Sequence, residues 1–349
     1  MKQIKASLLV LACAGVSSLG FASQYYYIGG NTADVSSWVE AVANPDHLWH
    51  TTTTIYEVGN PDIDPSDNKK NRTYQAASAL PASGDVLMFI EKLTMIDKDG
   101  NTVDKTPEAV DMSFNSNIGF VKFFVSKADS SVNKFTLDAS AGDITFTVSN
   151  DFGLNGKATT QFIANRGATS SAVNFSQAGG VAYLLNGAKL EIGSSENAFD
   201  TVSFSNVSWG NGSVDIYAKN ISITRIQSYT SDCNITFHIE GLNDTAALSI
   251  GKYAADAKFV LDLSDVASDF DVSADYILAT ISSGSSFENY GDFLTINGLS
   301  AEQLARLNWD VVSQTLSLVG AAVPEPAAVA AILGLAALGF AAYRRRSAK

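Results

Sequence analysis

The chain has 349 residues and is acidic, with 36 Asp and Glu against 23 Lys and Arg. Six of the basic residues (Lys2, Lys5, Arg344, Arg345, Arg346 and Lys349) and none of the acidic ones lie outside residues 23–326, so the segment between stands at −19. Such a surface repels nucleic acid and anionic lipid, which makes both poor partners of the body, while it favours solubility and can collect cations.

Residues 1–22 read as a signal peptide. Lys2 and Lys5 form a basic start, Ala6 to Leu19 is apolar, and Gly20-Phe21-Ala22 supplies the small residues that signal peptidase requires, with cleavage after Ala22. Sec export machinery and signal peptidase are the partners this implies. Cys13 falls in the leader behind Val10-Leu11-Ala12, a poor fit to a lipidation box. Cys233 then stands alone and cannot form an internal disulfide, although export permits one. A small buried or half-buried side chain is expected there.

Residues 23–110 are expected to form an irregular N-terminal cap. Five of the seven prolines lie here (Pro45, Pro61, Pro65, Pro81 and Pro107), and Pro61 to Arg72 is polar and turn-rich. Ala79 to Phe89 reads as a turn leading into a strand. The run from Tyr27 through Trp38, followed by Pro81-Ala82-Ser83-Gly84-Asp85-Val86, resembles the opening of autotransporter-type β-helical repeat proteins.

Residues 111–319 read as a β-rich body. No proline occurs between Glu108 and Val323, and proline is excluded from paired strands because it lacks the ladder donor. Apolar residues alternate with polar ones at Ile144/Phe146/Val148, Ile235/Phe237/Ile239 and Phe259/Leu261/Leu263, where Val260 is the misfit. Shorter copies occur at Phe135/Leu137, Leu190/Ile192, Val202/Phe204, Val214/Ile216, Ile221/Ile223 and Leu316/Leu318. Period two with one apolar face is the half-buried strand signal. Ser300 to Leu307 reads as one short helical turn capped by Ser300.

The fold class is therefore all-β: a parallel β-helix or solenoid-like body, with an antiparallel β-sandwich as the alternative. Asn-Gly pairs at Asn155, Asn186, Asn211 and Asn297 predict tight hairpins and speak for the sandwich. The proline gap and the many Ser, Thr and Asn turns speak for the solenoid. The closing segments at 276–281, 307–310 and 315–318 resemble the terminal coils of autotransporter-like passengers.

Candidates for chemistry are few. His47 and His50 lack the further ligands that zinc requires. His238 falls on the polar face of its strand and is expected to be solvated. Asp62, Asp64 and Asp67 form one acidic cluster, and Asp97, Asp99, Asn101, Asp104 and Glu108 another, the second with the partial spacing of a calcium loop. The carboxylates show no paired-acid motif, and there is no Gly-x-Ser-x-Gly elbow or phosphate loop. No enzyme activity, cofactor or metal is expected.

Residues 320–349 form a tail with three parts. Pro324-Glu325-Pro326 holds Glu325 in an extended segment. Residues 327–343 carry no charge and would span roughly 26 Å as a helix, enough for a single transmembrane pass. Arg344, Arg345 and Arg346, in the basic tail 344–349, act as a cytoplasmic stop-transfer signal. This order resembles the PEP-CTERM sorting signal of Gram-negative bacteria. The resemblance implies an inner-membrane-anchored precursor, processing at Pro324-Glu325-Pro326 by an exosortase, and delivery to the cell surface or extracellular matrix. The expected function is that of an exported structural or adhesive protein, with exopolysaccharide as a candidate partner. The alternatives are a polysaccharide-active β-helix enzyme and a carbohydrate-binding surface protein, for which exposed aromatics on adjacent strands would be the mark; Trp209 and Tyr217 are the candidates.

Overall fold

The computed structural model describes residues 24–27, 49–54, 72–76, 84–90, 93–96, 102–105, 109–230, 232–242, 245–253, 258–282 and 287–321. Ala22, His47, the Asp62 cluster, Asp97, Asp99, Glu108, Pro324-Glu325-Pro326, residues 327–343 and Arg344 to Arg346 lie outside them. Among the described residues no helix is long and apolar enough to cross a membrane.

The described chain is mostly strand and winds in successive coils as a β-helix-like solenoid. Up to Tyr229 each coil adds one rung to each of three parallel ladders, and beyond it the described rungs add to sheets 1 and 2. Sheet 1 stacks Asp111–Phe114, Val132–Asp138, Thr159–Asn165, Ala188–Ile192, residues 212–218, Cys233–Ile239, Phe259–Asp262 and Leu294–Asn297. Sheet 2 stacks Ile118–Phe120, Ile144–Val148, Val173–Gln177, residues 201–204, residues 221–225, Leu248–Lys252 and Tyr276–Ile281. Sheet 3 stacks Gln24–Tyr27, Val86–Ile90, Lys122–Lys127, Phe152–Gly156, Ala182–Leu185, residues 207–209 and residues 226–229. Coil length is not constant: Ile216 pairs with Phe237, 21 residues on, but Leu261 pairs with Ile296, 35 residues on.

Parallel rungs throughout the body rule out the sandwich, whose strands would be joined by hairpins. Antiparallel pairs, among the described residues, occur towards the ends. Trp49–Thr54 pairs with Gln24–Tyr27 and Arg72–Ala76, and Leu93–Ile96 pairs with Thr102–Lys105. At the other end Thr315–Leu318 lies between Tyr276–Ile281 and Leu307–Asp310, giving the last rung of sheet 2 a partner. The short helix α1, Ala301–Leu304, precedes it. Ser300 and Gln303 form a reciprocal capping box at its start.

The alternating apolar residues all point inward and form one core. Its first half is a ladder of phenylalanines. Phe162 contacts Phe123, Phe135, Phe146, Phe152 and Phe175, with ring centroids 5.0–6.1 Å apart. Most pairs are tilted or edge-to-face, the arrangement the ring quadrupole prefers. From about Val202 onward the filling shifts to Ile, Leu and Val. Burying such side chains contributes about 1.5–3 kcal/mol each, so the stack needs no covalent staple.

The Asn-Gly pairs do not make hairpins. Three of them, at Asn155, Asn186 and Asn211, turn the chain at one corner, from sheet 3 into sheet 1, on successive coils. Asn186 and Gly187 both have positive φ, 59° and 89°. That geometry suits a two-residue hairpin, but here it swings the chain into the next sheet instead. The fourth pair ends the last rung of sheet 1, with Gly298 at φ 87°.

Candidate functional site

Because the inward positions fill the core, function falls to the outward ones, and the three faces differ in chemistry. On sheet 2 the outward column is Thr147, Ser176, Ser203, Ser222, Ser249 and Thr280, a run of small hydroxyls. Ser203 bonds Ser176 at 3.1 Å and Thr280 bonds Ser249 at 3.3 Å. This column is small, polar and uncharged, while the exposed Arg225 and Lys252 pair at the end of the same rungs.

Sheet 3 carries an apolar outward column: Met88, Phe124, Gly153, Tyr183. The Phe124 ring lies over Gly153, where an added Cβ would sit 2.3 Å from the ring. Met88, Phe124, Tyr183 and Leu185 line a shallow groove of about 280 Å³.

Sheet 1 collects the titratable groups. One outward column runs Asp111, Lys134, Gln161, Glu191, Asp215, Thr236; the neighbouring one runs Tyr217, His238, Asp262. Tyr217 and His238 stack with centroids 3.9 Å apart and planes within 2°. His238 is not solvated as its polar-face position predicts: its side chain is 15 % exposed. The Tyr217 ring covers one face, Nδ1 lies 3.3 Å from Asp262 and Nε2 lies 3.8 Å from Asp215.

The carboxylates around this stack differ in proton affinity. Burial raises Asp262, but bonds from the Ser264 hydroxyl (2.6 Å) and backbone N–H (3.0 Å), with His238 beside it, outweigh burial and hold it below the usual range. Glu240 goes the other way. Burial, a hydrogen bond shared with Asp265, and the negative charges of Asp265 and Asp262 push it up to about 7. Its Oε1 is buried with no donor. Tyr217 is raised as well, by burial and then by Asp215, Glu240, Asp262 and Asp265.

A groove of about 470 Å³ opens beside Tyr217, lined by Gln161, Phe162, Ile163, Glu191, Gly193, Ser194, Asp215 and Tyr217. The Gln161 amide donates to Glu191 Oε2 at 2.5 Å. Gly193, at φ 78°, passes so near that a Cβ would stand 2.7 Å from the Tyr217 carbonyl oxygen. Only glycine fits there.

Of the two aromatic candidates, only Tyr217 faces outward. Trp209 is 1 % exposed and packs edge-on against Phe204 at 5.8 Å. Its position continues the inward column of Leu154 and Leu184. The acids Glu191, Asp215 and Asp262, which look scattered along the chain, gather on sheet 1 because coil length brings them into register, with Glu240 and Asp265 just past the ends of its strands. The signal that marks them is the spacing of Asn-Gly corners, 31 and then 25 residues, which gives the local coil length. Cys233 is buried, and burial pushes its thiol up to about 12. Among the described residues no group of three or more His, Cys, Asp or Glu is placed to hold a metal ion. The calcium-like spacing at Asp97 to Glu108 lies outside the described residues apart from Thr102–Lys105.

No family model, no curated protein and no solved structure matches this chain.

Proposed function

We propose that the chain is an exported, non-enzymatic protein of the cell surface or extracellular matrix, with a solenoid body that serves as spacer and adhesin. The observation that carries this reading is the unbroken parallel stack. Eight rungs of sheet 1 at about 4.8 Å each make a stiff rod roughly 34 Å long, closed by an antiparallel cap. Among the described residues the cap ends on the contacts of Gly320 N–H to Asp275 and Ala321 N–H to the Val272 carbonyl. Pro324 follows three residues later, within about 11 Å at the greatest reach of the chain. A processing enzyme acting at Pro324-Glu325-Pro326 would therefore work against the end of the folded body. In this reading Sec machinery and signal peptidase deliver the chain, residues 327–343 with Arg344 to Arg346 hold the precursor in the inner membrane, and an exosortase transfers it outward, with exopolysaccharide as partner.

The test is the mass and location of the mature protein beside a variant with Pro324, Glu325 and Pro326 all replaced by Ala. The reading expects the wild type to end near Glu325 at the surface and the variant to stay full length in the inner membrane. Identical products in one membrane would overturn it.

One observation favours a second reading, a polysaccharide-active enzyme: Glu240, held protonated to about 7, shares a face with Asp262, which is held ionised. Groups with divided proton affinity are what general acid–base cleavage uses. Release of reducing ends from neutral, amino and uronate polysaccharides, lost in Glu240→Gln, is the result this reading expects; no release from any of them sinks it.

A further inference from the structure

The groove beside Tyr217 combines three properties that the grooves on the other described faces do not combine. It has an aromatic ring backed on one side by His238. It has two carboxylates, Glu191 and Asp215, on directly paired positions of successive rungs. None of the residues lining it is basic. The nearest ring nitrogen, His238 Nε2, stands 3.8 Å from Asp215, beyond hydrogen-bond reach.

We propose that this groove binds a glycan built of amino sugars that carry free ammonium groups. Glu191 and Asp215 stand one rung, about 4.8 Å, apart, so a single ammonium can sit between them. One sugar of the glycan chain therefore meets both carboxylates. Its ammonium gains a charge-assisted bond to each. The apolar face of a ring packs on Tyr217, where a nearby ammonium also gains from the ring quadrupole. Polyuronates are repelled by the same carboxylates. Gly193 keeps the approach open, since no side chain can stand there. The proposal names the ligand class of the adhesive body and rests on that reading only for access to glycan outside the cell.

The experiment is calorimetric titration of the full chain, in mild detergent at pH 6, with three hexamers: fully deacetylated chitosan, its N-acetylated form and oligogalacturonate. The deacetylated hexamer should bind, the acetylated one should bind at least ~10-fold more weakly, and the galacturonate should not bind. Tyr217→Ala and the Glu191→Gln/Asp215→Asn pair should each weaken binding by at least ~10-fold. Asp310→Asn, at an exposed turn far along the chain, should leave it unchanged. Glu191→Gln alone retains an amide partner for Gln161, so it reports on binding even if Tyr217→Ala folds poorly. Equal binding of the acetylated and deacetylated hexamers, equal losses in Asp310→Asn and the groove variants, or no binding at all would each overturn the proposal. The titration can fail while the sorting experiment succeeds, and the reverse, so the two readings fall separately.

Discussion

Asn186 Nδ2 donates to Asn155 Oδ1 at 2.6 Å, one coil below it, at the corner where sheet 3 turns into sheet 1. Asn155 in turn donates to Ser126 at 3.2 Å. The bonds link three successive coils through side chains. Beside them the glycines of the same corner lie close under backbone. A Cβ on Gly156 would fall 1.9 Å from the Lys127 carbonyl oxygen, whereas one on Gly187 meets nothing nearer than 3.9 Å.

Gly156→Ala and Gly187→Ala should therefore differ. Both residues have positive φ, 100° and 89°, which costs an L-residue about 1–2 kcal/mol. Only Gly156→Ala must also move backbone, so its total loss should reach about 3 kcal/mol or more. Paired thermal melts measure this, and equal melting temperatures would show that the corner yields without cost.

Phe162 touches five other phenylalanines and is fully buried. Phe162→Ala should cost about 3–5 kcal/mol. Ile163→Ala, one position along and outward, should stay within roughly 1 kcal/mol. Denaturant midpoints compare the two. Similar losses would mean that the strand is not read from one face.

Stability should fall as pH rises through the Glu240 window. Its ordinary value is 4.5 and its value in the fold is about 7. Between these the folded chain keeps a proton that the unfolded chain has released. The stabilising contribution is thus complete below about 4.5 and lost as pH passes about 7. Because Glu240 is only partly buried, solvent screening reduces the effect to on the order of 1 kcal/mol. Glu240→Gln should flatten the dependence between pH 5 and 8. Parallel slopes for wild type and variant would place the titration elsewhere.

The Cys233 thiol, buried and pushed up to about 12, should resist alkylation at pH 8 in the native protein and react within minutes in denaturant. The thiolate is the reactive form, and burial suppresses it. Rapid native labelling would show that the strand Cys233–Ile239 opens locally.

Much of the fold is legible in the chain because alternation is a local property. Ile144, Phe146 and Val148, or Ile235, Phe237 and Ile239, declare an apolar face within five residues, and each points inward. Val260 reads as a misfit in its run and indeed sits outward between Thr236 and Thr295. Ser300 and Gln303 announce their capping box in the same local way.

What the amino-acid sequence determined by itself is which residues face in, that the body is strand, and where the chain bends. Only the tertiary structure decided which strands pair. An Asn-Gly turn has the same local geometry whether the next strand folds back or climbs to a new sheet, so Asn155, Asn186 and Asn211 could not separate hairpin from corner. The same holds for the acidic face. Glu191 and Asp215 are 24 residues apart, Asp215 and Asp262 are 47 apart, and nothing local links them. They share a face because variable coil lengths, 30 residues from Phe162 to Ile192 and 24 from Ile192 to Ile216, still return each strand to register. Trp209 shows the limit most plainly. Whether it stands outward as a platform or inward as core turns on a parity of one residue, and the packing of Leu184 and Phe204 around it settles that parity.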